Sequence, residues 1–171
     1  MPKEKYDFAG WVTKNDTRCS DGVVIKHGAF KDNDQKTVPL VWNHNHSEPT
    51  NVLGHVMLHN DEKGVYGYGY FNETDEAKHA KELIKHGDIS AMSIGANRIK
   101  KQGQNVIHGM IYEVSLVLRG ANPGALIETV MAHSDDSVET DKAIIYTGNL
   151  IHSAEDVLEQ QEEEVQHMAE K

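Results

Sequence analysis

Three short stretches combine a chemically capable side chain with a setting that would hold it still: Trp42-Asn43-His44-Asn45-His46, Ala91-Met92-Ser93-Ile94-Gly95 and Tyr112-Glu113-Val114-Ser115-Leu116-Val117. Histidine changes charge near neutral pH. Ser93 interrupts an apolar run, and Glu113 lies inside another, where a carboxylate is rare unless paired. The three residue types fit acyl transfer. A serine attacks a carbonyl, an imidazole takes its proton, and a carboxylate orients the imidazole and stabilises its cation. Residue type alone does not select that chemistry. Ser93 reads equally as a small strand residue bonded to a backbone carbonyl. Glu113 reads equally as a solvent-facing residue at a sheet edge, and His44 and His46 as turn residues ahead of Pro49.

The histidines also admit a metal. His44 and His46 are two apart, which places both on one face of a strand, and His55 and His59 follow. A zinc or nickel centre needs three or four converging ligands, and His55 and His59 fall in a different expected strand. The letters His44-Asn45-His46 invite comparison with metal-dependent HNH nucleases. Those need a ββα finger, and here the segment after His46 reads as a strand. Charge points the same way. The chain of 171 residues has 17 Lys and Arg against 27 Asp and Glu, for a net charge of −10. Residues 1–130 hold 16 acids and 15 bases, whereas 131–171 hold 11 acids and only Lys142 and Lys171. A near-neutral body with an acidic tail lacks the clustered cations that nucleic acid requires. Cys19, the single cysteine, excludes an internal disulfide framework and a cysteine-rich zinc site. It lies in the polar stretch 16–22 and is a minor candidate nucleophile.

The elements that must position these groups are mostly strands. Candidates cover residues 6–13, 23–25, 37–43, 52–59 and 65–71, the last two joined by Asn60-Asp61-Glu62-Lys63-Gly64, a hairpin loop with a closing glycine. Tyr66, Tyr68 and Tyr70 share one face, and Gly67 and Gly69 opposite them suggest close approach by another backbone. A helix follows, with Thr74 as N-cap, Asp75 and Glu76 in the first turn, Lys85 and His86 in the last, and Gly87 past the end. Ala77, Ala80, Leu83 and Ile84 form its apolar stripe. Strands resume at 89–100 and 106–118, split at Gly103, and 119–124 is a breaker cluster. The polar 133–141 reads as flexible. Near 152–169, Ser153 and Asp156 suggest a cap, and Ile151, Ala154, Leu158, Gln161, Val165 and Met168 fall at heptad spacing. No apolar run nears the ~18 residues that span a bilayer, and residues 1–10 lack the apolar core of a secretory signal. The expectation is a soluble, intracellular protein.

In this order the motifs resemble the prohead (procapsid maturation) proteases of tailed bacteriophages, serine peptidases that share a fold with herpesvirus assemblin. Asp21-Gly22-Val23-Val24-Ile25-Lys26-His27-Gly28-Ala29-Phe30 is similar to the family's segment ending in Gly-Ala-Phe. Val38-Pro39-Leu40-Val41-Trp42-Asn43-His44 resembles its strand ending in Trp-x-His, and Leu53-Gly54 its following Ile-Gly. Lys63-Gly64-Val65-Tyr66 and Ile84-Lys85-His86-Gly87 continue the pattern. Met92-Ser93-Ile94-Gly95 resembles Leu-Ser-Ile-Gly at the nucleophile. Glu113-Val114-Ser115-Leu116-Val117 with Ala121-Asn122-Pro123-Gly124-Ala125 resembles the family's ending. The likeness covers roughly residues 6–130. Three positions depart from it: Ala96 stands for an aromatic residue, Asn45 for an aspartate and Gly120 for a proline.

The resemblance implies an α+β fold, a mainly antiparallel, barrel-like β core with flanking helices over 1–130; outside it, composition and heptad spacing suggest an acidic, partly flexible tail over 131–171 with a helix. It makes Ser93 the nucleophile, His44 the base and Glu113 the acidic third member, with Ser115 structural. His46 competes with His44, which is favoured because it directly follows Trp42-Asn43. No metal or organic cofactor is implied. The implied substrates are scaffolding protein, major capsid protein and the protease itself, cleaved inside the assembling prohead in the bacterial cytoplasm. Self-association stays open, and neither nucleic acid nor membrane is an implied partner. The tail is expected to target the enzyme to scaffold or capsid. The rival readings are a non-enzymatic capsid assembly factor of the same fold and an HNH-like nuclease.

Overall fold

The computed structural model describes residues 5–132 and 142–145. Its strands arise where apolar side chains alternate or run together between turn residues. They are β1 (Phe8–Lys14), β2 (Val24–Ile25), β3 (Thr37–Trp42), β4 (Val52–Asn60), β5 (Gly64–Phe71), β6 (Ala91–Gln102), β7 (Asn105–Val117), β8 (Ile127–Ala132) and β9 (Lys142–Ile145). In β3, Val38 and Leu40 are buried while Thr37 and Pro39 face solvent, the alternation of a strand with one face on the core.

The helix α1 (Asp75–His86) forms where its signals place it. Thr74 Oγ1 accepts the Ala77 N–H at 3.2 Å. Gly87, at φ +87°, ends it in a Schellman turn: its N–H reaches the Ile84 carbonyl, and that of Asp88 the Leu83 carbonyl at 3.0 Å. Ala77, Ala80 and Ile84 are buried in one core with Phe8, Val56, Leu58, Met92 and Leu116.

The strands join one sheet in the order β2-β7-β3-β4-β5-β1-β8-β9, with β6 also paired to β7. Residues 105 and 106 of β7 pair with β2 and with β6, and residues 114–116 with β3 and with β6. So β6 lines one edge of β7, while β2 and β3, both parallel to it, share the other. The expected barrel does not close. Between β6 and the approach to β8 there is an isolated bridge, Ala91 to Leu126, with bonds from Met92 N to Ala125 O and from Ile127 N to Ser90 O. The turn at 119–124 delays regular pairing until Ile127, where β8 joins β1 instead. Among the described residues α1 is the one α-helix, not several flanking helices. β8 and β9, which pair antiparallel, were not expected, and the anticipated helix near 152–169 lies outside the described residues.

The tyrosine face exists: Tyr66 and Tyr68 rings meet edge-on, and Trp11 caps Tyr66. The opposing glycines, however, make room for side chains and not for backbone. A Cβ on Gly69 would lie 2.2 Å from the Phe8 ring, and one on Gly67 would lie 2.7 Å from Val12 Cγ1 and 2.8 Å from Val56 Cγ1.

Candidate active site

The site is built on β6 and β7 and on the turn that leaves β3. In the β6–β7 ladder, Ser93 is opposite Ser115 and Gly95 opposite Glu113. Residues two apart share a strand face, so all four point the same way. Gly95 is what lets the glutamate fit. A Cβ there would come within 2.5 Å of Glu113 Oε1 and 2.8 Å of Tyr112 Cζ. Gly95→Ala should therefore push the buried carboxylate aside and cost ~1–3 kcal/mol of stability, as overpacking does. Urea unfolding measures this, and an unchanged midpoint would contradict it.

His44 is not a strand residue. β3 ends at Trp42, and the Asn45 N–H bonds back to the Trp42 carbonyl at 2.9 Å. Asn43 and His44, the two residues between, have φ of +50° and +57°. Positive φ at both central positions is the pattern of a type I′ turn. Asparagine tolerates it, whereas histidine does so at some cost. Asn45 Oδ1 then accepts the Ser47 N–H at 3.1 Å and its hydroxyl at 2.6 Å, which folds the loop back after the turn. The asparagine that departs from the family pattern thus has a local structural use.

This turn points the His44 ring into the β6–β7 face. His44 Nε2 lies 2.9 Å from Ser93 Oγ, and His44 Nδ1 bonds Glu113 Oε1. Glu113 is 1% exposed, while the His44 side chain is 41% exposed, so the acid is enclosed and the imidazole faces outward. A buried carboxylate persists where it is paired. Glu113 has His44 on one oxygen, and its Oε2 accepts the Ser115 hydroxyl at 2.8 Å. The solvent-facing glutamate of the alternative reading is ruled out.

His46 also reaches this carboxylate, with Nε2 3.6 Å from Oε1, and its ring lies 5.9 Å from that of Tyr112. It faces the acid, whereas the bond to Ser93 comes from His44. The two further histidines of the metal reading have other partners: His55 stacks on Tyr70, and His59 Nδ1 meets Gln35 Nε2 at 3.0 Å. Among the described residues no group of three or more His, Cys, Asp or Glu side chains is placed to hold a metal ion. Residues 49–51 form a short 3-10 turn, and β4 then runs back along β3, not the helix of a ββα finger. Cys19 is buried, and desolvation with the nearby Asp21 pushes its thiol pKa up, the reverse of an activated nucleophile.

The breaker cluster lies beside the start of β6. A Cβ on Gly120 would sit 2.6 Å from the Met92 carbonyl oxygen, so the glycine that replaces the family's proline permits close contact next to Ser93. An open cavity of about 430 Å³ adjoins it, lined by Arg18, Ala91, Arg119, Pro123 and Leu126 among others. Sequence reasoning missed the use of Ser115 in the network. No local signal for it was present.

Comparisons with known proteins agree with this architecture. No curated protein matches the chain in sequence. Among solved structures, the crystal structure of KSHV protease in complex with a hexapeptide phosphonate inhibitor is similar, with a TM-score of 0.52 at 14% identity. The alignment covers 70% of this chain and 62% of that one, so the likeness is one of fold over part of the herpesvirus protein. A family model described as caudovirus prohead serine protease matches residues 4–141. That span takes in β3, β6 and β7 entire and extends past the expected limit near 130; on this match the chain belongs to the caudovirus prohead serine protease family.

Proposed function

We propose that the chain is a serine endopeptidase of prohead maturation in which Ser93 is the nucleophile, His44 the general base and Glu113 the group that orients and stabilises the imidazole. The observation that carries this reading is the continuous contact from Ser93 Oγ to His44 Nε2 and from His44 Nδ1 to Glu113 Oε1 in a chain of this family. With Nδ1–H donating to the carboxylate, Nε2 is left as the acceptor, the tautomer a base requires. Ser93 Oγ attacks the scissile carbonyl carbon while its proton passes to Nε2. The imidazolium returns that proton to the leaving amine, and water repeats the sequence to cleave the acyl-enzyme ester. The cavity lined by Ala91, Arg119 and Leu126, which starts two residues along β6 from Ser93, is proposed to receive part of the substrate.

The proposed substrates are scaffolding protein, major capsid protein and the protease itself, inside the assembling prohead in the infected bacterial cytoplasm. Confinement there raises the effective concentration of enzyme and substrate. Residues 131–171, with most of the net negative charge, are proposed as a targeting segment that joins the sheet through β9.

A serine-directed phosphonate tests the chemistry without knowledge of the cleavage site. The full chain treated with a fluorophosphonate should carry one covalent phosphonyl group, mapped to Ser93 by peptide mass spectrometry. Chelation should leave the labelling unchanged. No adduct would sink the assignment and favour a non-enzymatic assembly role, and an adduct elsewhere would sink it in favour of another nucleophile. Co-expression with scaffolding and capsid proteins then reads out the substrates.

A further inference from the structure

Ser115 falls within the matched motif, and its residue type marks it as an ordinary small strand residue. Its surroundings are not ordinary. It has no exposed surface, and it faces Ser93 directly across the β6–β7 pair. Its Oγ accepts the His44 backbone N–H at 2.9 Å, and its hydroxyl proton goes to Glu113 Oε2 at 2.8 Å. The hydroxyl therefore links the two residues that must cooperate, and it does so through atoms their own contact does not use. His44 Nδ1 and Glu113 Oε1 close the ring from the other side.

We propose that Ser115 is a positioning residue of this site: its hydroxyl fixes the main chain of His44 to the carboxylate of Glu113, so that backbone and ring of the base are held against the same acid. The inference rests on the assignment of Ser93, His44 and Glu113 given above. Its physical basis is the turn. His44 occupies a backbone region that a residue with a Cβ keeps only where its surroundings over-determine it. The Asn45-to-Trp42 bond fixes the span of the turn, and the Ser115 acceptor fixes the peptide that enters His44. Without it a donor and a buried anionic oxygen both lose their partner, and each is costly to leave unmade. The ring would then be free to swing toward solvent, where its side chain is already partly exposed. The neighbouring His46, 3.6 Å from Oε1, would compete for the released carboxylate.

The experiment compares the limiting rate of phosphonyl transfer to Ser93 from a peptidyl phosphonate ester, and the concentration that half-saturates it, in full-length wild type, Ser115→Ala and Ser115→Thr. Ser115→Ala should slow the limiting rate about 10- to 100-fold, the usual worth of one hydrogen bond to a charged group. The half-saturating concentration should change less than about threefold, because substrate binding is untouched. Ser115→Thr keeps the hydroxyl and should recover most of the rate. A folded Ser115→Ala protein that labels as fast as wild type overturns the proposal. So does an equal loss in the folded Ala and Thr proteins, which would indicate packing and not the hydroxyl. Hydrogen exchange on the wild-type chain decides the matter if Ser115→Ala does not fold. The His44 amide should be protected although it lies in an exposed turn, and exchange as fast as in open turn amides overturns the link. Wild type that fails to label at Ser93 removes the underlying assignment, a different result from wild type that labels normally while Ser115→Ala does so equally well.

Discussion

Ser93→Ala is expected to lower the rate of peptide-bond cleavage on the order of 10⁶-fold, because loss of the attacking atom costs about as much as loss of the whole constellation. Binding should survive, since the substitution removes one oxygen atom and adds no bulk. Stability should change by no more than about 1 kcal/mol, because Ser93 is partly exposed and its bond is to an exposed imidazole. The measurement is the fate of co-expressed scaffolding and capsid proteins, with a melting curve as control. Full-length substrates that accumulate beside a folded Ser93→Ala protein are the expected result. Processing at the wild-type rate would assign the chemistry to another residue.

Glu113→Gln is expected to cost on the order of 10⁴-fold in turnover while the protein stays folded. The amide has the shape of the acid and removes a buried negative charge, so the melting temperature should not fall. The chemistry should fail for a reason of proton placement. If the amide nitrogen faces His44, Nδ1 must be the acceptor, which puts the ring proton on Nε2 opposite Ser93. If the amide turns round, its nitrogen meets Ser115 Oγ, which already accepts the His44 N–H, and the serine proton loses its acceptor. Either arrangement spoils one end of the network. Phosphonate labelling of Ser93 in this variant measures the loss directly, and a rate within tenfold of wild type would show that the carboxylate is dispensable.

Much of this could be anticipated from the residues, and what could not has physical reasons. Helix α1 was legible to its ends because its signals are local: Thr74 as N-cap, Gly87 with positive φ, and an apolar stripe between them. The pairing of β4 with β5 was legible from the loop that joins them. The geometry of His44 was not. Two-residue alternation placed it on a strand face, but Asn43 and His44 turn instead, and nothing in the letters distinguishes a strand that ends at Trp42 from one that continues. Gly67 and Gly69 were recognised as sites of close approach, but composition does not say whether backbone or a Phe8 ring approaches. β8 was overlooked although Ile127 and Val130 are buried, because the cluster at 119–124 masked a short strand after it. The open sheet reflects the same stretch, which meets β6 by single bonds where a barrel would need a ladder. The role of Ser115 depends on three elements meeting at once, which no local pattern encodes.

The distances along the chain between these groups have a further consequence, which concerns time. His44 is 49 residues from Ser93, 69 from Glu113 and 71 from Ser115. The strand that delivers it runs parallel to β7, a pairing no hairpin can make. Non-local contacts of this kind form late in folding, because the entropy of closing the loop is spent before the contact repays it. Until β7 emerges and docks between β3 and β6, Ser93 and His44 lack the strand that brings them together, and His44 lacks Glu113. On the proposed assignment, a nascent chain or one truncated before β7 would be proteolytically silent, and hydrolytic capacity would appear only once β7 has docked.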